Sequence, residues 1–201
     1  MLDDIYDDEV WAKVHNNDIW IFDKLILSRK LGHLCGPAGI AVPASGNYVV
    51  RPCVNIMGMG RGASIQWIDS DTTHLPAGYF WQEVFVGDHL SVDYQDGVQV
   101  RCTQGFQTPG DLTRFNRWLL VDKNPVMPVV IKDFICVYYD VNIELINGRV
   151  IEVHLRGNGD FNDGAVEIIP IWCDQPQECP EGFVFVSDPD GDRVGFYKRY
   201  Q

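Results

Sequence analysis

The feature that most restricts this chain is Asn147-Gly148, set between two apolar, β-branched arms. Asn-Gly accepts the left-handed backbone of a two-residue hairpin turn, so Val129–Leu145 is predicted extended and Arg149–Arg156 as its returning strand. On the return arm Glu152, His154 and Arg156 are two apart and share one face. Ile151, Val153 and Leu155 are predicted on the core face. Residues that oppose each other across an antiparallel pair share a face. A strict two-residue turn pairs Glu144 with Ile151 and turns Glu144 away from Glu152. The two carboxylates meet only if the loop centres on Gly148 or a bulge lies nearby. Together with His154 they could then hold a divalent cation, with phosphate oxygens completing its shell. Taken alone, a solvated polar hairpin face explains the pattern as well.

The rest of the chain reads as more strand than helix. Strands are predicted at Tyr48–Arg51, Ala63–Ile68, Tyr79–Val86 and His89–Tyr94, with an Asp96-Gly97 turn into Val98–Arg101. Two short strands follow, near Val166–Ile171 and Phe183–Val186. A helix over Trp20–Leu34, capped by Asp23 and stopped at Gly36-Pro37, follows from apolar residues at helical spacing. A second is predicted over Asp111–Leu120. The class is α+β, rich in antiparallel strand.

Composition narrows the function classes. The 201 residues carry a formal charge of −12, and the cations are scattered, which argues against nucleic acid as a partner. No apolar run reaches membrane-spanning length. The start of the chain is acidic and lacks a signal-peptide pattern, so a cytoplasmic protein is expected. Six cysteines without a Cys-x-x-Cys pair argue against zinc and read as buried free thiols. Asp188-Pro189-Asp190-Gly191-Asp192 lacks the closing glutamate of a calcium loop and reads as a polar turn.

Three further segments carry chemistry. Gly58-Met59-Gly60-Arg61-Gly62, after a strand ending in Arg51, offers backbone N–H groups for phosphate, although it is neither a Walker loop nor a dinucleotide fingerprint. Trp81–Asp93 holds Glu83 and His89 at a strand edge suited to a base and a sugar. Lys24 follows Asp23 at a helix start. Each has an ordinary surface explanation when taken singly.

Their order resembles the ATP-grasp superfamily over roughly residues 20–160. The resemblance implies an ATP-grasp-like fold with a small lid subdomain (about 40–82) and a larger sheet subdomain (about 83–201) in a single domain over 1–201. It implies nucleotide contacts at Lys24, Arg51, Gly58, Gly60, Gly62, Glu83, Val86 and His89, metal ligands at Glu144, Glu152 and His154, and Arg156 as the catalytic arginine. The cofactors implied are ATP and Mg²⁺. The Asp-Lys pair stands near the start of the sequence, so the family's N-terminal domain is expected to be missing here, either supplied by a partner chain or a second copy or lost altogether. Arg51 replaces a lysine, and a planar fork replaces a compact ammonium. His154 replaces an asparagine, which opens the site to Mn²⁺. The expected function is an ATP-dependent carboxylate–amine ligase that forms an acyl phosphate on a small-molecule or peptide carboxylate. The alternative is a degenerate nucleotide-binding or structural, assembly-type relative without catalysis.

Overall fold

The computed structural model describes residues 10–55, 58–175 and 177–201; the acidic N-terminal stretch lies outside them. Two antiparallel sheets make up the fold. The smaller contains β1 (Cys35–Pro37), β2 (Gly46–Pro52), β3 (Ser64–Ile68) and β4 (Tyr79–Glu83), in the order β1-β4-β2-β3. The larger contains β5 (His89–Gln95), β6 (Val98–Gln107), β7 (Phe115–Leu120), β8 (Asp140–Ile146), β9 (Arg149–His154), β10 (Ala165–Trp172), β11 (Val184–Asp190) and β12 (Arg193–Tyr200). Its order is β11-β12-β10-β7-β6-β5-β8-β9.

Across β5, β8 and β9 one face of the larger sheet is apolar and the other mainly polar. Leu90, Val92, Val141, Ile143, Leu145, Val150 and Val153 form the buried face with Leu27 of α1 (Lys24–Lys30) and Ile131, Phe134 and Ile135 of α2 (Val129–Val137). Each such Leu or Ile contributes about 1.5–3 kcal/mol when fully buried. Because side chains alternate along a strand, the residues between them are forced to the opposite face. That face carries Asn142, Glu144, His89, Ser91 and Asp93, paired as Ser91↔Glu144 and Asp93↔Asn142. The smaller sheet has its own cluster around Tyr48, Val50, Ile68 and Trp81.

Several elements differ from the sequence-based expectation. The helix predicted over Trp20–Leu34 is a 3-10 turn (Ile19–Phe22) followed by α1, and the chain leaves α1 through Gly32 at φ 73°. Gly36-Pro37 therefore lies in β1 and stops no helix. The helix predicted over Asp111–Leu120 is instead a polar turn followed by β7. The extended run predicted from Val129 begins as α2 and becomes strand only at Asp140. β12 was not anticipated, and Asp190-Gly191-Asp192 turns into it. All six cysteines are free, as expected, but Cys136, Cys173 and Cys179 are exposed rather than buried. No helix among the described residues is long and apolar enough to cross a membrane.

Candidate functional site

The hairpin settles the question its sequence raised. Asn147 (φ 50°) and Gly148 (φ 74°) are both left-handed, as a type I′ turn requires. Ile146 pairs with Arg149 and Leu145 with Val150, and then the register shifts so that Glu144 faces Glu152. Ile151 is the extra residue of this bulge. It lines the cleft, and Val150 takes the core position, which corrects the expected placement of Ile151. Val153 and Leu155 do reach the core. Glu144 and Glu152 thus share the polar face, with His154 opposite Asn142.

Both carboxylates are engaged. Glu152 pairs with Lys24 Nζ at 3.0 Å and lies 3.5 Å from His154 Nε2. Lys24 is placed by α1, where the Asp23 carboxylate accepts from the N–H groups of Leu25 and Ile26, and where the Lys24 N–H donates to Cys53 O. Glu144 Oε2 lies 3.2 Å from His89 Nε2. A carboxylate only accepts, so Nε2 carries the hydrogen. Burial opposes the Glu144 charge, but the His89 hydrogen bond and charge, with His154 and Lys24, outweigh it and hold the carboxyl at about 2.

Arg51 comes from the other sheet. Its Nη2 donates to Gln82 Oε1 (2.8 Å) and to the carbonyl of the bulged Ile151 (3.1 Å). Burial pulls the Arg51 pKa below the ordinary guanidinium value, and the charges of Glu152 and Glu144 oppose that shift. Gln82 also accepts from Ser28 Oγ and sits 3.2 Å from His33 Nδ1. Sequence reasoning missed Gln82 and Ser28. The signal was a polar residue inside the apolar strand Tyr79–Glu83, where an inward side chain must find partners. Two buried side-chain atoms of this site, Arg51 Nε and His89 Nδ1, have no hydrogen-bond partner among the described residues.

Lys24, Arg51, His89, Glu144, Glu152 and His154 all line a single cleft of about 1320 Å³. The same cleft takes in Glu83, Val86, Arg156, Gly58 and Gly60. Gly62 is not on it; a Cβ there would meet Tyr79 Oη at 2.6 Å. Glu83 accepts from Leu34 N–H and pairs with Arg149; burial opposes its charge, and these two partners hold its carboxyl below the ordinary value. Gly87, at φ 141°, lies so close to Asn147 that a Cβ would fall 2.7 Å from it. The segment between the sheets therefore rests on the hairpin turn. Among the described residues no group of three or more His, Cys, Asp or Glu side chains is arranged to hold a metal ion.

The glycine-rich loop is tied across the cleft. Arg61 Nη2 contacts both Oδ1 and the carbonyl of Asp190, each at 3.2 Å. Gly191 leaves room for the guanidinium, which a Cβ would strike. Asp190→Asn is expected to cost less than about 1 kcal/mol, since the pair is partly solvated. It is also expected to speed tryptic cleavage after Arg61. An unchanged cleavage rate would show that this contact does not restrain the loop.

No protein-family model matches the sequence, and no curated protein does. Solved structures do match. A putative ATP-grasp superfamily protein from Archaeoglobus fulgidus aligns at TM-score 0.53 and 16% identity, over 90% of this chain and 63% of that one. Carboxyaminoimidazole ribonucleotide synthase from Aspergillus clavatus, complexed with ATP, aligns at 0.57 and 10%, over 96% and 73%. An L-amino acid ligase from Bacillus licheniformis aligns at 0.54 and 10%, over 89% and 66%. The chain thus spans somewhat under two thirds of the archaeal protein. With two antiparallel sheets enclosing one cleft, the chain has the fold of the ATP-grasp superfamily.

Proposed function

We propose that the chain binds ATP in this cleft and acts as a carboxylate–amine ligase, activating a small-molecule or peptide carboxylate as an acyl phosphate. The supporting observation is that two buried cations from different parts of the fold, Lys24 and Arg51, converge on the face that carries Glu144 and Glu152. A triphosphate supplies negative charge for Arg51, whose Nε is a donor in search of an acceptor, and competes with Glu152 for Lys24. In this reading Lys24, Arg51, Gly58 and Gly60 hold phosphates, with Gly62 shaping the loop from beneath. Glu83, Val86 and His89 meet base and ribose.

Glu144 and Glu152 suit Mg²⁺ chemically, as two hard oxygen donors on one face. Their pairs with His89 and Lys24 must open or be shared for the ion to enter. His154, 3.5 Å from Glu152, would extend the range to Mn²⁺. When bound, the ion neutralises charge on the transferring phosphoryl group. A substrate carboxylate oxygen attacks the γ-phosphorus as the bond to ADP breaks. An amine then attacks the acyl carbon, and phosphate leaves. Lys24, Arg51 and Arg156 hold the charge in place through both steps.

A specific observation favours a second reading, nucleotide binding or a scaffold role without catalysis. Lys24 and Glu152, a phosphate cation and a metal carboxylate in the first reading, are spent on each other in a buried pair. Thermal unfolding separates the readings. ATP with Mg²⁺ or Mn²⁺ is expected to raise the unfolding midpoint, and Arg51→Met is expected to abolish the rise. ADP release with pooled carboxylates and amines then marks a ligase. Binding without release leaves the second reading, and no shift with any nucleotide removes both nucleotide-dependent roles.

A further inference from the structure

We propose that the cleft contains an aromatic shelf, Phe115 and Trp118, that selects a carboxylate substrate with a flat aromatic side chain; the carboxylate part rests on the ligase reading, the shelf does not. The cleft, at about 1320 Å³, exceeds the roughly 300–1000 Å³ that a single small ligand fills, so it has room for more than a nucleotide. Phe115 and Trp118 line it beside His89. Gly105 pairs with His89 on one side and Trp118 on the other, so all three share the polar face. Trp118 and Phe115 fold over Gly105 so tightly that a Cβ there would lie 2.8 Å from one ring and 2.7 Å from the other. A glycine inside a strand commonly marks such a close approach.

The two rings lie 4.4 Å apart, tilted by 36°. His89 meets both edge-on, at 5.0 and 5.5 Å with interplanar angles of 89° and 84°. Trp118 is backed by the buried cluster of Phe161, Ile168 and Phe196, which fixes its position. Phe115 and Trp118 themselves remain half-buried and line the cleft. The pair lies beside an imidazole whose Nδ1 is buried and has no hydrogen-bond partner among the described residues. The opposite nitrogen of that ring holds Glu144. An aromatic ligand laid on the shelf gains ring–ring contact, which a short aliphatic ligand lacks.

Calorimetry with 3-phenylpropionate and propionate as probes tests this, with and without a non-hydrolysable ATP analogue and Mg²⁺. Phenylpropionate is expected to bind about fivefold more tightly than propionate or better. Trp118→Leu and Phe115→Leu are each expected to erase that preference while leaving the affinity for the ATP analogue within about twofold. Equal binding of the two probes overturns the proposal. So does a Trp118→Leu protein whose affinity for the ATP analogue falls by the factor expected for phenylpropionate, because the shelf then belongs to the base. Failure of the ATP analogue to bind the wild-type chain overturns the ligase reading separately, and the two probes measured alone still decide the shelf.

Discussion

Glu152→Ala is expected to lower the stability of the folded chain by about 3–5 kcal/mol, measured by urea unfolding near neutral pH. Lys24 and Glu152 are only 5% and 8% exposed, and their charges lie 3.0 Å apart. Removing the carboxylate strands an ammonium in a poorly solvated site, and its desolvation is no longer offset. His154, the other neighbour of Glu152, brings no negative charge in compensation. Replacing both partners with apolar residues of similar size, Lys24→Met with Glu152→Leu, is expected to recover part of the loss, because the Lys24 charge leaves with its partner while the buried Arg51 keeps only Glu144 as a counter-charge. The same argument bears on function. If Lys24 holds phosphate, ATP restores a counter-charge in Glu152→Ala, and the nucleotide-dependent rise in midpoint persists there without added metal. A loss under about 1 kcal/mol would show that water already reaches the pair.

How far the site was legible in sequence depended on local backbone chemistry. Asn147-Gly148 and Asp23 announce their conformations because their side chains or φ preferences act on neighbouring backbone. Hence the hairpin and the helix start were readable. The bulge at Ile151 was foreseen only as a need, since nothing in Val150-Ile151-Glu152 says which residue is extra. Its cause is tertiary: Arg51, one hundred residues earlier in sequence, donates to the displaced carbonyl. Asp111 misled for a related reason. Its carboxylate accepts from Thr113 and Arg114 N–H as a helix cap would, but pairing with β6 and β10 claims Phe115–Leu120 for the sheet. In α2 the β-branched run Val129-Val130-Ile131 resembles strand, yet Ile131, Phe134 and Ile135 recur at helical spacing and are the buried ones. Gln82 and the Phe115–Trp118 pair escaped notice because their roles exist only once distant strands are adjacent.

The acid limb of the stability profile offers a second large effect. Glu144 has an ordinary carboxyl value of 4.5, held at about 2 in the fold. Its folded value is depressed, so its contribution is fully present above pH 4.5 and is lost as pH falls toward 2. Integrated over that window the loss is about 2–3 kcal/mol, the lower figure allowing for partial solvent access. Unfolding measured from pH 6 to pH 2 is therefore expected to show a drop in the wild-type chain that Glu144→Gln lacks, by about that amount. Burial is the largest influence on this group and acts in the opposite direction, so removing the donor is the sharper test. In His89→Phe the hydrogen bond and the charge vanish while burial stays. The Glu144 carboxyl is then expected to move upward, and the acid transition to begin at higher pH. If His89→Phe and the wild-type chain lose stability over the same pH range, the His89–Glu144 contact is not what keeps this carboxylate ionised, and a ribose or metal role for either residue loses its electrostatic basis.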